Sequence, residues 1–185
     1  MVVLLKHALR RRACGRIVAV ILALCATDAA CCAAEPTLRS GALRSLYGDS
    51  DAVQYVCGEV ECTLQEFIKG LATRRLRLAA GATVDDALLI EPQRKGRQYF
   101  SALYLLDRQA CFYRLVFAPD VSASSLRLLA SVHDNHYDVR SVQRDSADKW
   151  REENFSYEAS QSRYVSSVTR CFADVDGKTK SVPCE

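Results

Sequence analysis

Glycine is scarce in this 185-residue chain, at eight residues, and none of them clusters into a loop motif. A phosphate-cradling loop or a dinucleotide-binding turn needs glycines at fixed spacing, so both are excluded, and no cofactor is expected. Cys57 and Cys62 enclose four residues, not the two of a thioredoxin-like redox pair. Only three histidines are present, and no zinc-site spacing accompanies them. There is no tract of proline, glycine or serine long enough to be a linker, and no internal repeat. No Gly-flanked serine and no Cys–His couple stands out as an activated nucleophile. Asp85 and Asp86 are adjacent rather than set across a cleft, which suits capping better than acid–base work. An enzyme is therefore not the first expectation.

Long apolar runs are also missing. A spanning helix needs about 20 apolar residues to cross about 30 Å of hydrocarbon. The run 17–26 (IVAVILALCA) has ten, and Asp28 cuts it off. It is preceded by Lys6, Arg10, Arg11, Arg12 and Arg16, and followed by small residues up to Ala34 and then Glu35-Pro36. Positive, apolar, small is the order of a secretory signal peptide. Residues 1–34 are accordingly expected to be a leader, with cleavage after Ala34 or after Ala30. A lipoprotein reading would acylate Cys31 or Cys32, but Asp28 stands where an aliphatic residue is usual. The arginine run lacks the apolar follow-on of a twin-arginine signal. The protein is expected to be exported: periplasmic in a Gram-negative cell, otherwise secreted.

Residues 35–185 then form a single exported globular domain, long enough for a substantial core. The leader takes five of the 25 basic residues and one of the 22 acidic ones, leaving 20 against 21. A near-neutral domain has no basic face with which to displace counterions, so no nucleic-acid partner is expected. A membrane partner is expected only if the leader is retained or Cys31 or Cys32 is acylated. Five cysteines remain. In an oxidising compartment, proximity pairs Cys57 with Cys62, and Cys171 with Cys184 around a turn at 174–177. Cys111 is left over, and its apolar alternating surroundings suggest a reduced, buried thiol.

The expected fold class is α+β: one or two N-terminal amphipathic helices packed on an antiparallel β-meander, stabilised by disulfides. Residues 37–47 suggest a short helix weakened by Gly41, and 53–56 a strand or turn. Thr63 and Glu66 spell a capping box, and Leu64, Phe67, Ile68, Leu71 and Ala72 recur on one helical face. That helix is expected to run on through Arg74 and Arg75. Residues 83–86 suggest a second helix cap, whereas 87–90 read equally as helix or strand. From residue 98 the chain is rich in aromatic and β-branched residues, with hairpin signals at 94–97 and 107–109. Residues 126–132 read as helical turn or strand, 137–142 as strand. The polar stretch 144–153 reads as a loop or short exposed helix. Alternation resumes at Phe155 and Tyr157, and 163–172 and 178–182 read as paired strands.

Three constellations carry possible chemistry. His133 and His136 flank Asp134-Asn135, and a tight turn there would bring both imidazoles to one face with Asp134 or Asp138 nearby. A catalytic zinc wants three protein ligands and a structural one four, so turn chemistry is preferred and no metal is expected. Arg94, Lys95 and Arg97, with Arg74, Arg75 and Arg77, form local basic clusters suited to an acidic partner or simply to solvent. Trp150, the only tryptophan, sits in a strongly charged stretch, as binding anchors do. Residues 154–156 also spell a glycosylation acceptor. The expected function is a small exported binding module with a protein partner, such as an inhibitor or immunity protein for an exported enzyme. The contact residues would be Trp150, Arg94, Lys95 and Arg97. The alternatives are an exported metal-dependent hydrolase using His133 and His136, and a membrane-anchored envelope protein.

Overall fold

The computed structural model describes residues 35–58, 60–94, 99–118 and 123–184. The leader reading of residues 1–34 therefore lies outside the described residues. Helix α1 (Glu35–Tyr47) presents Ala42, Leu43 and Leu46 as one buried stripe. Gly41 lies on its exposed side, with open space around it. Helix α2 (Ser50–Cys57) replaces the strand or turn expected at 53–56. The deciding feature is Asp49, whose carboxylate accepts from the amides of Asp51 and Ala52, both at 3.0 Å. That cap outweighs the β-preference of Val53, Tyr55 and Val56.

Helix α3 (Leu64–Lys69) starts at the expected capping box. Glu66 accepts from the Thr63 amide at 2.8 Å, and Thr63 Oγ1 accepts from the Glu66 amide at 3.3 Å. The Thr63 amide bond, with a second donated by Thr63 Oγ1 to the same carboxylate at 2.8 Å, holds the Glu66 carboxyl below its usual range. The helix does not continue through Arg74 and Arg75, as its apolar spacing suggested. It stops at Gly70, and Leu71–Leu76 is strand β1, paired with β2 (Ala87–Pro92). Cross-strand hydrogen bonds to β2 replace the helical ones, a long-range gain that local spacing does not encode. Gly70 marks a close approach: a Cβ there would lie 2.4 Å from Val56 Cγ1. Gly70→Ala should thus cost about 1–3 kcal/mol, whereas Gly41→Ala should add about 0.5–1 kcal/mol. Urea melts of the two variants check the contrast in sign.

Strands β1, β2, β3 (Ala102–Asp107) and β4 (Phe112–Phe117) form an antiparallel sheet in chain order. A second antiparallel sheet follows, also in chain order: β5 (Ala123–His133), β6 (His136–Arg144), β7 (Lys149–Glu158), β8 (Arg163–Val175) and β9 (Lys178–Val182). The helix-then-strand order of an α+β fold is thus present, but the domain is mostly β and the single expected meander is two sheets. The first sheet is covered on both faces. Leu88, Ile90, Ala102 and Tyr104 pack with Ala42, Leu43, Leu46 and Phe67 of the helices. Leu89, Leu103, Val116 and Phe117 pack with Leu126, Val139, Tyr157 and Tyr164 of the second sheet. A strand buried on both faces reads as a continuous apolar run, which is why residues 87–90 show no alternation.

A short backbone junction ties the sheets. The amide of Tyr137 donates to Leu78 O and that of Ala80 to Asn135 O, both at 2.8 Å. Buried Asp86 fixes this segment by accepting from the amides of Leu78 (2.7 Å) and Ala79 (2.9 Å). Asp86 is therefore a cap for loop amides, and the second helix expected at 83–86 does not form. In the 144–153 stretch only a turn at 145–148 precedes β7. The expected loop or helix is replaced by strand because its polar side chains pair across the sheet. Arg140 contacts Glu152 at 3.0 Å and donates through Nε to Asn154 Oδ1 at 2.9 Å. The Asn154 amide is thereby engaged within the sheet, a poor setting for a glycosylation acceptor.

Cys57 and Cys62 are bonded, with Cα atoms 5.9 Å apart, and clip α2 to the start of α3. Cys171 and Cys184 are bonded, with Cα atoms 5.2 Å apart, and tie β8 to the segment after β9. Cys111 differs from its expectation. It lies in the β3–β4 turn at φ 54° rather than inside a buried strand.

Each core holds one tyrosine with a suppressed tendency to ionise. Burial pushes Tyr104 up to about 12, and the Asp49 carboxylate acts in the same direction. Burial also pushes Tyr164 up, and the Asp138 and Asp86 carboxylates act in the same direction. A group whose folded pKa lies above its unfolded value stabilises fully below the unfolded value and loses that stability as pH rises through the folded one. Stability should thus be level below pH 10 and fall between about 10 and 12, with Tyr104 alone contributing about 2 kcal/mol by pH 11.5. Tyr104→Phe should flatten the fall, as read from denaturant midpoints at pH 9 and 11.5.

Candidate functional site

Trp150 enters β7 from a turn built by short polar side chains. Ser146 Oγ donates to Asp148 Oδ1 at 2.6 Å and accepts from the Lys149 amide at 3.1 Å. The first of these bonds holds the exposed Asp148 carboxyl below its usual range. Register then sets Trp150 directly opposite Phe172 on β8, so both rings emerge on one face. They stack with centroids 5.6 Å apart and planes 19° from parallel. Both rings remain half-exposed. They line a groove of about 530 Å³ whose other walls include Asp145, Lys149, Arg151 and Val182. The Cys171–Cys184 bond fixes the far wall.

Arg151 is held in that wall by a hydrogen bond from its guanidinium to Gln143 Oε1. Its Nε is buried and has no hydrogen-bond partner among the described residues. A buried donor without an acceptor is costly, by about 1–3 kcal/mol. Side chains alternate along β7 and β8, so the Trp150 and Phe172 rings stand on one face of the strands and the Lys149 and Arg151 side chains on the other. Asp145, Lys149 and Arg151 belong to the charged 144–154 stretch around Trp150 that the sequence offered as a contact surface, whereas Phe172 was not foreseen, because only strand register brings it to Trp150.

The histidine pair lies elsewhere, at the β5–β6 hairpin end. Asp134 and Asn135 both have positive φ, 44° and 63°, as a two-residue primed turn requires. His133 and His136 are register partners across it. Their ring nitrogens are nevertheless taken by different acceptors. His133 Nδ1 lies 2.8 Å from Asp138 Oδ1, and His136 Nδ1 lies 2.8 Å from Asp134 O. The His136 ring packs on Tyr157, with centroids 4.1 Å apart. Asp134 is turned to the Ala159 amide, which it accepts at 2.7 Å. No three His, Cys, Asp or Glu side chains among the described residues are placed to share a metal. Ser131 Oγ donates at 2.5 Å to buried Asp138, not to His133, so no nucleophile–base couple forms there.

Arg94 lines a separate cavity of about 440 Å³ with Lys69, Gly70 and Tyr55. Lys95 and Arg97 lie outside the described residues. Arg77 is paired with Asp85 at 3.3 Å. Arg94 and Trp150 therefore do not share a site. No helix among the described residues is long and apolar enough to cross a membrane. No known protein family, curated protein or solved structure matches the chain.

Proposed function

We propose that this chain is an exported binding module that docks a protein partner on the Trp150–Phe172 groove. The observation that carries the reading is the stacked, half-exposed pair of large rings with charged residues at its rim. An aromatic anchor surrounded by charge is the anatomy of a binding hot spot. The disulfides and the leader-like segment 1–34 support an oxidising compartment outside the cytoplasm. An inhibitor or immunity protein acting on an exported enzyme is the member of this class we favour. Parallel affinity capture with the wild-type and Trp150→Ala proteins tests it. The same protein must be enriched by the first bait and lost from the second.

A second reading, an exported hydrolase-like enzyme, has one observation in its favour. Asp138 engages His133 Nδ1, which leaves Nε2 of a ring that is 59% exposed to act as a base or ligand. Stoichiometric metal in the purified protein, lost in His133→Ala, would move the assignment to this reading.

A further inference from the structure

Resting on the binding-module reading, we infer that the docking surface is the outer face of the second sheet, where arginines beside the Trp150–Phe172 rings select a folded partner with an acidic patch. Register sorts this face. Arg144, Trp150 and Phe172 form one cross-strand row, and Glu152 and Arg170 belong to the next. Arg127, Arg140 and Asn154 form a third. Residues in a row share a face, and rows two residues apart along a strand share it too. The side chains agree: the two rings stack, and Arg140 reaches both Asn154 and Glu152. Arg144 therefore stands opposite Trp150, and Arg170 lies two residues from Phe172 on the same side.

The acids on this face are already engaged. Glu152 meets Arg140 at 3.0 Å, and Asp174 accepts from Thr179 Oγ1 at 2.9 Å. Asp148, in the adjoining turn, is bonded to Ser146. Arg127 and Arg170 are exposed, and their side chains have no acceptor among the described residues. Arg127 also stands opposite Arg140, a like-charge pair. A partner that covers the rings must cover Arg170, and a guanidinium taken out of water needs a carboxylate. A basic partner would meet like charge, and a second copy of the chain would bring the same arginines. The near-neutral total hides this, because strand alternation does the sorting.

The lone Trp150 reads the charge of this face directly, and Lys149, on the opposite face of β7, is the control. The probes are iodide and caesium, as quenchers of Trp150 emission in the full oxidised protein, each normalised to N-acetyltryptophanamide at about 0.1 M total salt. Iodide should quench at least about twofold more effectively than caesium. Arg170→Glu should remove that preference and Lys149→Glu should keep it, with melting temperatures unchanged. Equal quenching by the two ions, or equal effects of the two substitutions, overturns the inference. The protein captured in a Trp150-dependent way should then bind Arg170→Glu at least about tenfold more weakly. Arg170→Gln, which sets no new charge opposite Glu152, should lose about threefold, and Lys149→Glu should change little. A captured protein indifferent to Arg170→Glu overturns this inference alone and leaves the module reading standing. Trp150-dependent retention of nucleic acid or lipid in place of a protein, or no Trp150-dependent capture, removes the module reading itself.

Discussion

Asp86→Ala is expected to destabilise the domain by about 3 kcal/mol, more than any surface change in the molecule. The carboxylate is 6% exposed and accepts two backbone amides, Leu78 N at 2.7 Å and Ala79 N at 2.9 Å. Alanine removes both acceptors and leaves two donors in an interior that water does not reach. Each orphaned donor costs about 1–3 kcal/mol. The damage should spread, because these amides belong to the segment whose carbonyl Leu78 O receives Tyr137 N and whose Ala80 N reaches Asn135 O. The junction between the two sheets rests on that segment. Asp86→Asn retains one good acceptor and should lose about half as much. For a domain of this size the alanine variant should melt about 10 °C lower. Differential scanning calorimetry of the oxidised protein reads the effect, and a shift below about 2 °C would show that Asp86 does not hold the junction.

The second large effect concerns binding. Trp150→Ala should weaken partner affinity by about 100-fold, or about 2.7 kcal/mol, the scale of a central hot spot. The fold should be little affected, since the ring is only half-buried and its support comes from Phe172 alone among the described aromatics. Trp150→Phe keeps a ring on Phe172 and should fall between the two. Arg94→Ala should leave this affinity unchanged, because Arg94 lines a different cavity. A titration of the captured partner against the three variants, with circular dichroism on each, separates loss of contact from loss of structure.

How much of this was legible in the sequence follows from the range of the forces involved. The Thr63–Glu66 capping box and the turns at Asp134-Asn135 and Asp176-Gly177 are local chemistry, closed within a few residues, and they read directly. The cysteine pairs were also local, separated by 5 and 13 residues. The fate of Leu71–Leu76 was not. Its apolar spacing continues α3, but register with β2 from Leu71–Pro92 to Leu76–Ala87 settles it as strand. The division into two sheets is equally non-local, since every strand pairs with its neighbours in sequence except at β4 and β5, where the first sheet ends and the second begins.

Polarity misled at residues 149–153 for a related reason. It reports that side chains meet water, not that the backbone is irregular, and on the outer face of the second sheet the charges pair across strands. The candidate site suffered most. Trp150 stands out in any reading of the chain, but its meaning depends on Phe172, 22 positions away in sequence, which only strand register places beside it. The histidine pair shows the converse. Its sequence pattern suggests shared chemistry, and the structure hands each imidazole to a different acceptor.

The most direct test of the central claim is quantitative affinity capture from the exported fraction of the source cell, with wild-type, Trp150→Ala and Arg94→Ala proteins as matched oxidised baits. The binding-module account predicts one protein enriched by the wild type, depleted about 100-fold by Trp150→Ala, and retained by Arg94→Ala. A set of captured proteins that is the same for all three baits would contradict it.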